Sequence, residues 1–141
     1  MPTRTASAIW EGTLKEGKGR LVAGTTLAAD YDWGSRFAEG ELTNPEELIG
    51  AAHAGCFTMF LSGLLTKAGH EPRRLETGAR VTVEVTDSGP AITRIELDLE
   101  GEVDGMTEDA FRATAEEAKA GCPVSKALTG TEIVLNATLS R

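Results

Sequence analysis

The chain has 141 residues, of which 40% are hydrophobic and 26% charged, and this composition predicts one soluble globular domain over residues 1–141. Its net charge of −8 argues against nucleic-acid binding, because such proteins present basic surfaces to phosphates. Met1 to Arg4 lead into no apolar segment of the kind found in signal peptides. We therefore expect a cytoplasmic protein whose thiols are kept reduced.

The first third of the sequence predicts a β-hairpin followed by a loop. Residues 3–11 alternate in polarity, residues 16–19 have turn chemistry, and Arg20 to Leu27 form the returning strand. Residues 28–41 are interrupted by Gly and Asp, so we expect a loop there with a short strand near Arg36.

A long apolar helix is predicted over residues 45–68. Asn44 is a preferred N-cap residue, Pro45 suits the first helical position, and Glu47 stands where a capping box places an acid. No charged residue follows Glu47 until Lys67. The helix is long enough to cross a membrane, but its glycines, histidine and hydroxyl side chains favour a buried core helix.

The second half of the chain predicts a hairpin, two helices and a last strand. Residues 70–77 are expected to form a linker, strands 81–86 and 92–103 alternate around a turn, and Thr107 caps a helix to about Ala120. A short helix over 123–128 and a strand over 132–140 complete the chain. This segregated order indicates an α+β fold with antiparallel sheets. One small sheet cannot cover so apolar a central helix, so we expect a homodimer that shares its burial.

The two cysteines, Cys56 and Cys122, are 66 residues apart and belong to no CxxC motif or zinc-type cluster. Cys56 lies in mid-helix, where a thiolate needs a nearby cation. Cys122 is predicted at the N-cap before Pro123, where the positive end of a helix lowers a thiol pKa. Local physics therefore favours Cys122 as nucleophile, and the pair suggests thiol–disulfide chemistry.

Three stretches of sequence resemble the signature of the OsmC/Ohr family. They are Asn44-Pro45-Glu46-Glu47-Leu48, Ala51-Ala52-His53-Ala54-Gly55-Cys56-Phe57 and Ala120-Gly121-Cys122-Pro123-Val124-Ser125, with Trp10-Glu11-Gly12 as a further match. The Ala-His-Ala-x-Cys form and Arg36-Phe37 resemble the OsmC branch. The resemblance implies antiparallel sheets wrapped around a long buried central helix in an intertwined homodimer. It also implies a thiol-dependent peroxidase that reduces organic hydroperoxides in defence against oxidative stress.

Position by position, the resemblance assigns Cys56 as the peroxidatic cysteine and Cys122 as the resolving one. Arg36 matches the arginine that activates the thiolate, and Glu46 matches the family glutamate. These assignments overrule the local choice of Cys122 as attacker. Gly55 departs from the alanine usual before the cysteine, which loosens the helix by up to ~1 kcal/mol. The implied partners are an organic hydroperoxide, a thiol or dithiol reductant and a second copy of the chain, with no nucleic acid, membrane, metal or organic cofactor.

Two expectations about individual residues follow from helical spacing. His53, three residues before Cys56, is a candidate base for the thiol, but a packing or hydrogen-bonding role is favoured. Glu46 precedes Cys56 by ten residues, which separates them by ~15 Å along an unbroken helix. If Glu46 serves the cysteine, for instance by orienting Arg36 as an ion pair, it must therefore come from the partner subunit.

Two other classes of function remain open beside the peroxidase. One is a redox sensor or ligand-binding module whose cysteines oxidise without turnover. The other is a structural stress protein with inert buried thiols. The presence of both cysteines favours turnover, because a resolving thiol converts a sulfenic acid into a reducible disulfide.

Overall fold

The computed structural model describes residues 1–140, which form two compact units, Met1–Leu48 and the chain from Ile49 onward. The prediction of a single domain stays a prediction. The first unit holds an antiparallel sheet in the order β1-β2-β3. Its strands are β1 (Ala6–Glu11), β2 (Lys18–Ala23) and β3 (Leu27–Tyr31). The first hairpin is therefore confirmed, but with β2 ending at Ala23.

The segment expected to be a loop holds β3 and a short helix, α1 (Trp33–Phe37). The chain turns at Gly24, whose φ of 59° favours glycine, and pairs Leu27 with Ala23. The short strand expected near Arg36 is wrong. Asp32 instead accepts a hydrogen bond from the Ser35 amide at 2.8 Å, and this cap starts a helical turn.

The long helix α2 runs from Pro45 to Lys67, close to the predicted bounds. Its cap is as expected, because the Asn44 side-chain oxygen accepts from the Glu47 amide at 2.8 Å. The Glu47 carboxylate accepts from the Thr43 hydroxyl at 3.1 Å, so it supports the same turn by a different contact.

Within one chain, α2 is buried on one face only. His53, Phe57, Leu61 and Leu65 follow one another at four-residue spacing and have no exposed surface. Met59, on another face, is 78% exposed, and 28% of the most apolar window of the helix is buried. The burial expected all round the helix is therefore not provided by its own chain.

The second sheet has the order β4-β5-β6. Its strands are β4 (Pro72–Thr86), β5 (Gly89–Val103) and β6 (Glu132–Ser140). The β4–β5 hairpin is antiparallel, as predicted, but the expected linker over 70–77 is wrong from Pro72 onward. That stretch is the start of an edge strand whose exposed positions, such as Arg74 and Glu76, carry charge and hide the strand pattern.

The last strand, β6, pairs with β5 in parallel, which departs from the antiparallel sheets expected. The intervening helices α3 (Glu108–Gly121) and α4 (Pro123–Ala127) bring the chain back in the direction of β5, as a parallel pair requires. The Thr107 hydroxyl accepts from the Ala110 amide at 3.1 Å and caps α3 as predicted. The α+β class is confirmed, with one antiparallel and one mixed sheet.

The core of the second unit lies between α2, β5 and α3. Phe57 and Leu61 of α2 belong to one buried cluster with Ile95 and Leu97 of β5 and with Phe111 of α3. Each such side chain, when fully buried, stabilises the folded state by about 1.5–3 kcal/mol. The cluster fixes the middle of α2, where Cys56 lies, and the end of α3, which leads to Cys122.

One helix of the described chain, α2, is long and apolar enough to cross a membrane by length and composition alone. Core helices of globular proteins meet the same test. Its central His53 is hydrogen-bonded to Ser125 of α4, and its apolar face packs into the core just described. These contacts support the core-helix interpretation.

Candidate active site

The centre of the candidate site is a pair of thiols. Cys56 projects from the middle of α2, and Cys122 occupies the junction where α3 ends and α4 begins. Their Sγ atoms are 2.8 Å apart, and both cysteines are free. The structure thus brings together two residues that are 66 positions apart in sequence.

The two sulfurs differ in how solvent and substrate can reach them. Cys56 is partly exposed, whereas Cys122 has no exposed surface. An incoming small molecule can therefore meet Cys56 first. Access favours Cys56 as the attacking thiol, in the order that the family resemblance implies.

The electrostatics of the pair favour negative charge on Cys122. Burial raises the pKa of Cys122, but interactions with the Cys56 thiol, with the amide and hydroxyl of Ser125 and with the Val124 amide outweigh it, so that the pKa lies below its ordinary value. Cys122 precedes Pro123 at the N-terminus of α4, as predicted, but its side chain makes no capping hydrogen bond. Burial, reinforced by Cys122, raises the pKa of Cys56.

These two pKa directions describe one shared proton. Two thiols in hydrogen-bond contact lose their protons in two steps that belong to the pair. The first ionisation leaves one proton between the sulfurs, and the pKa directions favour Cys122 as the anion of the pair. Transfer of that proton across 2.8 Å moves the negative charge to Cys56.

A buried hydrogen bond links the two segments that carry the cysteines. His53 Nε2 and Ser125 Oγ are 2.7 Å apart, and both residues are buried. Burial lowers the pKa of His53, so its imidazole is neutral near pH 7. The candidate base of the sequence is thus hydrogen-bonded to a serine, in line with the favoured hydrogen-bonding role. Ser125 belongs to the family signature found in the sequence, but the sequence predicts no role for it.

The predicted Arg36 and Glu46 form an ion pair in the first unit. Glu46 Oε1 accepts from Arg36 Nε at 3.0 Å and from Nη2 at 2.8 Å. The Glu46 side chain is 8% exposed and that of Arg36 40% exposed. Asn44 helps to hold α1 beside this pair, because its amide donates to the Ser35 carbonyl at 2.8 Å. Glu46 therefore holds one edge of the guanidinium, and part of the group remains exposed to solvent.

Arg36 lines a cavity of about 240 Å³ that has aromatic walls. Its walls include Trp33 and Phe37 of α1, whose rings are 6.0 Å apart, together with Trp10 and Tyr31 of the sheet. An apolar cavity beside a cation suits a ligand with a hydrocarbon part and a polar end.

The four predicted site residues thus form two pairs, one in each compact unit. Within residues 1–140, no group of three or more His, Cys, Asp or Glu side chains is arranged to hold a metal ion. The expectation of chemistry without a metal or organic cofactor stays a prediction.

Comparison with known proteins decides the family. The model of the family described as OsmC-like protein matches residues 38–137. The chain belongs to the OsmC-like family. It is 44% identical over 135 residues to Peroxiredoxin OsmC of Escherichia coli (strain K12) and, equally, to that of Shigella flexneri, with 94% of each chain covered. The resemblance found in the sequence is confirmed, including its OsmC character.

Solved structures confirm the OsmC-like fold. The chain resembles an OsmC-like protein from Mycoplasma pneumoniae with a TM-score of 0.79 and 15% identity, covering 99% of both chains. It resembles the organic hydroperoxide resistance protein OhrB of Bacillus subtilis with a TM-score of 0.71 and 23% identity, covering 95% of this chain and 98% of that one. At these identities the likeness speaks for the fold alone.

Proposed function

We propose that this OsmC-like protein is a thiol-dependent peroxidase that reduces organic hydroperoxides to alcohols in defence against oxidative stress. The observation that carries the proposal is the contact between a partly exposed Cys56 and a buried Cys122, 2.8 Å apart. The relatives named Peroxiredoxin OsmC, at 44% identity, support the same activity.

The reaction starts with attack by the Cys56 thiolate on the terminal oxygen of the hydroperoxide. The O–O bond breaks, the alkoxide leaves and takes up a proton to become the alcohol, and Cys56 becomes a sulfenic acid. The Cys122 thiolate then attacks the Cys56 sulfur and expels the hydroxyl group as water after protonation. The sulfurs must approach from 2.8 Å to the ~2.05 Å of a disulfide. A thiol or dithiol reductant restores the pair.

Arg36 is proposed to favour the reactive thiolate and to stabilise the departing alkoxide. Glu46 holds the guanidinium in place through its two short contacts. The cavity walls contributed by Trp33 and Phe37 favour a substrate with an alkyl or aryl group over hydrogen peroxide.

The proposed active form is a homodimer in which Arg36 and Glu46 of one subunit serve Cys56 of the other. The observed continuity of α2 from Pro45 to Lys67 places Glu46 ~15 Å along the axis from Cys56 of its own chain, too far for a hydrogen bond. The exposed apolar face of α2, which includes Met59, supports a dimer that covers it.

The remaining expectations about setting are also proposals. The protein is expected to act in the cytoplasm, where reductants keep thiols available. None of the proposed steps needs a membrane or a nucleic acid. The net charge of −8 also disfavours binding of nucleic acid.

Titration of the purified protein with cumene hydroperoxide, with and without a dithiol, tests the activity. A peroxidase consumes many equivalents of hydroperoxide when the dithiol is present and about one equivalent per thiol pair without it. Oxidation that stays stoichiometric in both cases would establish the redox-sensor alternative. No thiol loss under either condition would identify an inert structural protein.

A further inference from the structure

The elements that carry the two cysteines also carry a second pair of residues, His53 and Ser125, to which the reaction above gives no role. His53 comes three residues before Cys56 in α2, and Ser125 comes three residues after Cys122. His53 Nε2 and Ser125 Oγ are 2.7 Å apart. His53 has no exposed surface, and Ser125 is 5% exposed. Polar groups this deeply buried are costly unless they are hydrogen-bonded, and a satisfied pair is held rigidly.

The direction of the hydrogen bond follows from the other imidazole nitrogen. His53 Nδ1 is buried and has no hydrogen-bond partner among residues 1–140. If Nδ1 carried the proton, a buried N–H donor would be left unpaired, which is rarer in proteins than an unpaired acceptor. The proton therefore belongs on Nε2, and His53 donates to Ser125 Oγ.

The Ser125 hydroxyl hydrogen is then free to point away from the histidine. The serine lies at the third position of α4, where a helix places a side chain close to the residue that precedes its first turn, here Cys122. In keeping with this position, the amide and the hydroxyl of Ser125 both lower the pKa of Cys122. The other groups that act on this sulfur are Cys56 from α2 and the Val124 amide. A serine that accepts from His53 has its one hydroxyl proton left for Cys122.

We propose that His53 is a positioning residue that acts through Ser125 and directs the serine hydroxyl onto Cys122, which stabilises the thiolate there. The role of Cys122 as resolving thiol rests on the proposed function, but the effect on its ionisation does not. A neutral, buried imidazole acts here as a fixed donor and takes no proton from the substrate or from either thiol. It thereby sets how readily Cys122 attacks a sulfenic acid and how readily it leaves a disulfide.

The test measures the ionisation of Cys122 alone, by its ultraviolet thiolate absorption against pH, in a Cys56→Ser background with one remaining cysteine. His53→Asn and His53→Gln are compared within it, because the longer glutamine amide places an N–H near the Nε2 position and the shorter asparagine amide does not. We expect the apparent pKa of Cys122 to rise by about one unit, a tenfold loss of thiolate, with asparagine and to be restored with glutamine.

Ser125→Ala should raise the apparent pKa of Cys122 by at least as much, and adding His53→Asn to it should change nothing further, because the histidine acts only through the serine. Circular dichroism and thermal unfolding of each variant report the fold separately. Equal pKa values for the asparagine and glutamine variants would overturn the proposal, and so would additive effects of His53→Asn and Ser125→Ala. Since no turnover is measured, failure here leaves the peroxidase proposal standing.

Discussion

Complementation between two inactive variants tests whether Glu46 serves the partner subunit. Subunits with Cys56→Ser are refolded together with subunits carrying Glu46→Ala. In a mixed dimer that works in trans, the intact Cys56 of the second subunit faces the intact Glu46 of the first. The other site has lost both residues. Each mixed dimer therefore has one working site, whereas a site assembled within one chain gives none.

The expected recovery follows from the twofold symmetry of the proposed dimer. Random reassociation of equal amounts makes half of the dimers mixed, and each mixed dimer keeps one of two equivalent sites, so activity should return to about a quarter of the wild-type value. Peroxide consumption with excess dithiol measures it. The intervening ~15 Å of helix between Glu46 and its own Cys56 is the physical basis of this expectation.

The ion pair within one chain supplies a matched control. Arg36 and Glu46 are joined at 2.8 Å in the same unit, so in the proposed dimer one subunit contributes both of them to a site. Mixed dimers of Arg36→Ala and Glu46→Ala subunits then have one defect in each site and should stay inactive. Absence of recovery in the first mixture, with mixed dimers demonstrated by mass spectrometry and both parents inactive, would refute action in trans.

Three further predictions concern the thiols and the histidine. Cys56→Ser should abolish peroxidase activity, while Cys122→Ser should permit one oxidation and then stall or over-oxidise; equal single oxidation of the Cys56→Ser protein would show that the roles are reversed. Arg36→Ala should raise the pH at which Cys56 is alkylated and slow peroxide reduction with the fold intact; an unchanged alkylation profile would remove Arg36 from the mechanism. Because burial lowers the pKa of His53, the unfolded chain binds more protons than the folded chain below the unfolded pKa of ~6.5. The free energy of unfolding should therefore fall as the pH decreases from that value. Denaturant titrations should show a smaller loss for His53→Gln, and an identical loss would show that His53 does not contribute.

The features that the sequence predicts best depend on neighbours in the chain. The cap formed by Asn44 needs only the amide of Glu47, three residues on, and the alternation in β5 directly reflects its buried face. The predicted helix over 45–68 therefore agrees with α2 to within one residue. The same holds for Thr107, whose contact with Ala110 is local.

The features that the sequence predicts poorly depend on partners elsewhere in the fold. The start of β4 is stabilised by pairing with β5, which a polar sequence around Arg74 does not reveal. The parallel direction of β6 is set by the path of two helices rather than by its own residues. Likewise, Ser125 lies 72 positions from His53, and only the packing of α4 against α2 brings the two side chains together.

The conflict between local electrostatics and family resemblance resolves if the two steps of the reaction use the charge differently. The lowered pKa of Cys122, beside the amides of α4, and the raised pKa of Cys56 make Cys122 the thiol that ionises first in the reduced pair. In the proposed reaction, attack on a hydroperoxide draws the charge to the accessible sulfur of Cys56, and the proton moves to Cys122. Once Cys56 is oxidised, it no longer shares a proton, and the stabilisation at Cys122 then favours the thiolate needed for the second step. A buried, acidic Cys122 is therefore what a resolving thiol requires, and the partly exposed Cys56 is what an attacking thiol requires.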